Sequence, residues 1–166
     1  MIKAVFFDFG HTIMDEIEHR DAPVAARPIV LMPEVLQTLP LITFDMGILN
    51  NTKTATEADV RQWLERAGIN RYFKWVFTSF DLGYRKPSKE FFDLTLTKSG
   101  LKKEEIVFVG NQLNTDIAGA NSYEIKNVYI LDKRFRSPDD TETLANVKPT
   151  YTIEKLIDLP NLLSTI

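Results

Sequence analysis

Short apolar runs alternate along this chain with longer stretches in which apolar residues recur every three or four positions. Lys3–Phe9, Met46–Leu49, Trp75–Thr78, Ile106–Val109 and Asn127–Leu131 are brief, apolar and β-prone, and turn-forming residues such as Gly10, Asn50 and Gly110 follow several of them. That pattern predicts five buried strands. Between them, Val60, Trp63, Leu64 and Ala67 make one apolar stripe at helical spacing. Thr56 stands where a helix cap belongs, Asp59 in the acidic first turn and Gly68 just past the end. Ser88 and Gly100 bracket a second helix carrying Phe91, Phe92 and Leu96. Shorter helices are expected over Pro33–Leu39, with Pro in the first turn, over Thr115–Ser122 and over Ile153–Leu163. Residues 14–31 read as a loop or small hairpin, Asp132–Asp140 as a polar loop, and Tyr151 and Thr152 as a last edge.

Strand and helix alternate over most of the length. Such alternation builds an α/β sandwich of three layers, with a mostly parallel five-stranded sheet covered by helices on both faces. Ligands of such sheets sit beyond the carboxyl ends of the strands. No repeat, low-complexity segment or linker interrupts the pattern, so residues 1–166 are expected to form one domain.

Composition narrows the function classes. The chain is 44% hydrophobic and 26% charged, as globular domains are. A net charge of −3 argues against a nucleic-acid partner held by electrostatics. With no cysteine, disulfides and thiolate metal sites are excluded. Asp8 cuts off the first apolar run, which is too short for a signal sequence or membrane span. A cytoplasmic protein without membrane partners is the expectation.

The polar residues that punctuate the strands are unusual. Asp8 lies near the end of the first strand, within Phe6-Phe7-Asp8-Phe9-Gly10-His11-Thr12. Asn50 and Asn51 end the second. Lys86 precedes Pro87, and Asn111 and Asp116 follow the fourth strand and Gly110. Taken in order, these residues resemble the motifs of the haloacid-dehalogenase-like (HAD-like) hydrolase superfamily over about residues 3–131. That family runs Asp-x-Asp-x-Thr after strand one, Ser or Thr before Asn after strand two, then Lys-Pro, then Gly-Asp-(x)4-Asp after strand four. The resemblance implies a Rossmann-like sheet with strand order 5-4-1-2-3.

It also implies phosphotransfer. Asp8 would be the nucleophile, forming an aspartyl-phosphate. Lys86 would bind and stabilise phosphate oxygens, as would Asn50 in the hydroxyl's place, with Thr12 and Asn51 completing the substrate site. Mg²⁺ would be held by Asp8, the Gly10 carbonyl, Asn111 and Asp116.

Three positions depart from the pattern. Gly10 replaces the acid/base Asp, whose help is typically worth ~10²–10⁴-fold. His11, the nearest titratable group, is a candidate substitute, against the plain reading of a surface loop histidine. Asn50 keeps a hydrogen-bond donor. Asn111 is a neutral and weaker Mg²⁺ ligand than a carboxylate, so weaker metal binding is expected.

Family members often choose substrates with a cap domain inserted after strand one or strand three. Only about twenty residues separate Thr12 from Pro33, and the third strand leads almost at once to Lys86. Neither gap holds a folded cap, so an open site is expected, shielded by a flap from residues 14–31, by a homo-oligomer partner or by a bulky, even macromolecular, phosphorylated substrate. Two readings follow. One is a Mg²⁺-dependent phosphatase, slowed by its altered motifs. The other is a binding or regulatory protein that kept the fold and lost turnover. A phospho-accepting receiver fits less well, because its acidic residues lie on different strands.

Overall fold

All five runs marked as strands form β-structure in a computed structural model of the chain, which describes residues 1–16, 21–131 and 146–166. The polar loop expected at Asp132–Asp140 lies outside the described residues. The strands are β1 (Ala4–Phe7), β2 (Asp45–Asn50), β3 (Phe73–Thr78), β4 (Ile106–Gly110), β5 (Lys126–Ile130) and β6 (Tyr151–Ile153). Their order is β3-β2-β1-β4-β5-β6, and every pairing between neighbours is parallel. The predicted order is therefore present, but among the described residues the sheet has six strands, not five. The short Tyr151–Ile153 segment adds to the free edge of β5, pairing Tyr129 with Thr152.

β1 sits at the centre, with β2 and β4 on its two sides. It is buried throughout, which is why it reads as a continuous apolar run rather than an alternation. Successive side chains still go to opposite layers. Val5 and Phe7 join one cluster with Trp63 and Leu64, whereas Ala4 and Phe6 join the other with Phe91, Phe92 and Phe108. Phe6 faces Gly47 across the β1–β2 pair, and a Cβ at Gly47 would lie 2.4 Å from its ring. Glycine there lets the ring lie flat and stack on Trp75 at 5.5 Å.

The clearest helix of the sequence, α2 (Glu57–Arg66), follows α1 (Val35–Thr38) and has the cap expected of it. The Thr56 hydroxyl accepts from the Asp59 backbone, and the Asp59 carboxylate accepts from Thr56 N–H, a reciprocal pair that closes the first turn. Trp63 is fully buried, meets Phe9 edge-on at 5.3 Å, and donates its indole N–H to the Pro28 carbonyl at 3.2 Å. This bond and one from Arg66 to the Ala25 carbonyl fasten the segment after residue 21 onto α2.

Three helical expectations need correction. Ser88 stands at the N-cap of α4 (Lys89–Ser99), which follows α3 (Ser79–Leu82), but its hydroxyl makes no capping bond. The Thr115–Ser122 helix begins earlier, as a widened π-type turn over Leu113–Ile117 that runs into α5 (Ala118–Ser122). The last helix is likewise split, into a 3-10 turn at Leu156–Asp158 and α6 (Leu159–Leu163).

Candidate active site

Three central strands release their chains at one place. β1 ends one residue before Asp8, β2 ends at Asn50 and β4 ends at Gly110. Asp8 N–H donates to the Val109 carbonyl at 2.8 Å, which extends the β1–β4 ladder and fixes the start of the Asp8 loop. The carboxyl ends of a parallel sheet are where such folds gather ligands.

Lys86 reaches this point from the far side. After β3 and α3, the chain turns at Gly83 (φ 74°) and delivers Lys86 through a cis bond to Pro87. Asn51 holds that turn: Lys86 N–H donates to its Oδ1 at 2.8 Å, and its Nδ2 donates to the Lys86 carbonyl at 3.0 Å. The Lys86 side chain is 1% exposed, and all three of its ammonium protons have acceptors. They are Asp8 Oδ1 at 2.6 Å, the Leu49 carbonyl at 2.7 Å and Asp116 Oδ1 at 2.9 Å.

Asp116 is fully buried in the widened turn after β4. Its Oδ2 accepts from Gln112 N–H at 3.0 Å. It also lies so close to Gly110 that a Cβ there would come within 2.4 Å of Oδ2. Glycine at the end of β4 is what lets this carboxylate come so near the strand.

One ammonium thus stands between two buried carboxylates, and the trio carries a net negative charge. Burial raises the Asp8 pKa and the Asp116 charge raises it further. Lys86 opposes both, and the result lies at about 7. Lys86 loses some basicity to burial, but the two carboxylates outweigh that and hold its pKa above the usual lysine value.

The remaining predicted residues divide. Asn50 and Gly10 line a small polar cleft of about 70 Å³ with Asp8 and Lys86. Thr12 is buried, with its hydroxyl 3.5 Å from Asp8 Oδ2 and 3.4 Å from Asn111 Oδ1, so it orients these groups from within. Asn51 lines the cleft, but its amide is engaged at both ends by the Lys86 backbone. His11, the acid/base candidate, has a left-handed backbone (φ 58°) and is buried rather than a surface loop residue; it borders a second hollow, with Met32, Glu34, Ile130 and Lys155.

Sequence reasoning missed Glu16, Gln112 and Thr115, which also line the cleft. Glu16 further lines an adjoining groove of about 570 Å³, shared with Asn50 and Asn51 and bordered by Arg27, Lys53 and Arg85. Gln112 and Thr115 could have been suspected from their place inside the Gly110–Asp116 motif. No spacing rule points to Glu16.

Donor chemistry at the site suits a hard cation. Asp8 Oδ2 and Asn111 Oδ1 flank the same Thr12 hydroxyl, the Gly10 backbone borders the cleft, and Asp116 shares the Lys86 ammonium with Asp8; each would offer oxygen to such an ion. Among the described residues no group of three or more His, Cys, Asp or Glu could hold a metal, so the set is poor in charge. No helix of the described residues is long and apolar enough to cross a membrane.

Comparisons with known proteins agree on one kinship. A family model described as HAD-hydrolase-like matches residues 83–159. Glyceraldehyde 3-phosphate phosphatase of Methanocaldococcus jannaschii is 30% identical over 171 residues, covering 100% of this chain and 71% of the relative. The Methanopyrus kandleri protein of the same name is 31% identical over 134 residues, covering 76% of this chain and 57% of its own length. Among solved structures, an uncharacterized protein from Listeria monocytogenes serotype 4b superposes with a TM-score of 0.85 at 28% identity, covering 99% of this chain and 98% of that one.

Proposed function

Starting from the fact that the chain belongs to the haloacid-dehalogenase-like hydrolases, we propose that it hydrolyses a small phosphate monoester with Asp8 as nucleophile. The observation that carries this reading is the placement of Lys86 Nζ against both Asp8 and Asp116 at the carboxyl ends of the central strands. In the free protein the ammonium neutralises part of the anionic pair. With substrate present it would shift toward the phosphate oxygens, whose charge grows in the transition state, and release Asp8 Oδ1 to attack phosphorus. Asn50, on the cleft wall, can donate an amide proton to the same oxygens. Thr12 and Asn51 do not need to touch substrate. Thr12 orients Asp8, and Asn51 holds the backbone that carries Lys86.

Mg²⁺, held by Asp8, the Gly10 carbonyl, Asn111 and Asp116, would when bound screen the repulsion between the carboxylate and the phosphate. The small cleft suits a phosphoryl group and the adjoining groove the remainder of the ester. The two relatives, named for a three-carbon sugar phosphate, favour a small substrate over a macromolecular one. The segment after residue 21 supplies one wall of the groove.

Purified protein given an aryl phosphate with and without Mg²⁺, beside an Asp8→Asn variant, tests this reading. Turnover should need both Mg²⁺ and Asp8. A second reading, phosphate binding without turnover, is favoured by one observation: Gly10 brings no carboxylate to the cleft for proton transfer. It predicts saturable inorganic phosphate binding and equal background rates from both proteins.

A further inference from the structure

We propose that Glu16 is the proton-transferring catalytic residue of this site, taking over from a loop the position that residue 10 leaves vacant; the inference rests on the phosphatase reading above. A Cβ built on Gly10 would lie 2.7 Å from Glu16 Cδ, 2.7 Å from Oε2 and 3.2 Å from Oε1. The Glu16 carboxylate therefore fills the volume that an acidic side chain on residue 10 would occupy. It lines the same cleft as Asp8 and Lys86 and also the adjoining groove, and so sits where the leaving group must pass from one to the other.

The carboxylate is held in that place. Arg27 Nη1 lies 2.6 Å from Glu16 Oε1, and Arg27 Nε donates to the Ala22 carbonyl at 2.9 Å, which fixes the guanidinium in turn. The pair is neither sealed nor free in solvent: the side chains are 13% and 22% exposed. Arg27 engages Oε1, while Oε2 is among the atoms nearest the place a side chain on residue 10 would take. Gly10 and Glu16 are thus complementary. The absence of a side chain at one position is what admits the carboxylate from the other.

The chemistry balances with the residues present. In the first step an oxygen of Asp8 bonds to phosphorus, the bond from phosphorus to the ester oxygen breaks, and protonated Glu16 gives its proton to the departing alkoxide. In the second, Glu16 as carboxylate takes a proton from water as that water bonds to phosphorus. The bond to the Asp8 oxygen breaks, and inorganic phosphate and free Asp8 result.

A leaving group that departs unaided does not need the acid, so two substrates and three variants decide the question. Glu16→Gln keeps an oxygen for Arg27 and removes the transferable proton. It should lower turnover of an alkyl phosphate by about 10²–10⁴-fold. With p-nitrophenyl phosphate the same variant should retain a rapid burst of nitrophenolate, followed by slow turnover as the second step loses its base. Glu16→Ala should be as slow on the alkyl ester, and adding Gly10→Asp to it should restore turnover, because the new carboxylate enters the vacated space. Equal loss on both substrates without a burst, no loss on either, or no rescue by Gly10→Asp would overturn the role of Glu16. Identical background from the unaltered protein and Asp8→Asn would instead overturn the phosphatase reading itself.

Discussion

Lys86 Nζ lies 2.6 Å from Asp8 Oδ1, and both groups are nearly sealed from water. The two residues are 78 positions apart, one at the end of the first strand and the other on the turn that follows the third. A parallel sheet in which β1 is flanked by β2 and β4 is what brings them together.

Removing the cation should be more damaging than removing the anion. In Lys86→Met, Asp8 and Asp116 remain buried with no ammonium between them. Breaking a buried pair in this way costs about 3–5 kcal/mol, because a charge is left uncompensated. Urea unfolding at neutral pH should show a loss of that order. The loss should shrink in acid, where Asp8 is protonated. A variant as stable as the parent at neutral pH would mean that the trio does not support the fold.

Asp8 should make the metal-free protein less stable as pH rises. Its pKa in the folded chain, about 7, stands above its value of 3.8 in the absence of the fold. Between these values the folded state keeps a proton that the unfolded state has lost, so this contribution is present below the lower value and lost as pH rises through the higher. Asp8→Asn lacks the titration. Thermal unfolding in EDTA should therefore show the variant gaining on the parent between about pH 4 and 7, as the linkage requires. A constant difference across that window would contradict the raised pKa.

Asn111→Asp should strengthen divalent-cation binding. The substitution adds a charged oxygen where Asn111 Oδ1 now stands beside Thr12 and Asp8. Ligand charge tunes the affinity of hard cations, and a gain of about tenfold or more is expected. Calorimetric titration with Mg²⁺ measures it directly. Unchanged affinity would remove position 111 from the metal site.

The fold was legible because buried parallel strands announce themselves as apolar runs, and the helix over Glu57–Arg66 carries its stripe and cap in plain order. The sixth strand was harder to read because Tyr151–Ile153 is three residues long and gains its structure from the edge of β5. Asp8, Lys86 and Asp116 could be found because they stand in the order of the family's motifs, Asp8 and Asp116 just past the ends of their strands. Glu16 could not, since its position depends on a pairing with Arg27 and on the missing side chain of Gly10. His11 is three residues from Asp8 in sequence, but sequence proximity did not reveal its left-handed backbone or that it borders another hollow.

Acid quenching during turnover of a ³²P-labelled phosphate ester, followed by peptide mapping, tests the role of Asp8 most directly. Label should appear on the peptide containing Asp8, be released by hydroxylamine as acyl phosphates are, and be absent from Asp8→Asn. Turnover with no label on that peptide, or the same label in the variant, would contradict covalent catalysis by the first-strand aspartate.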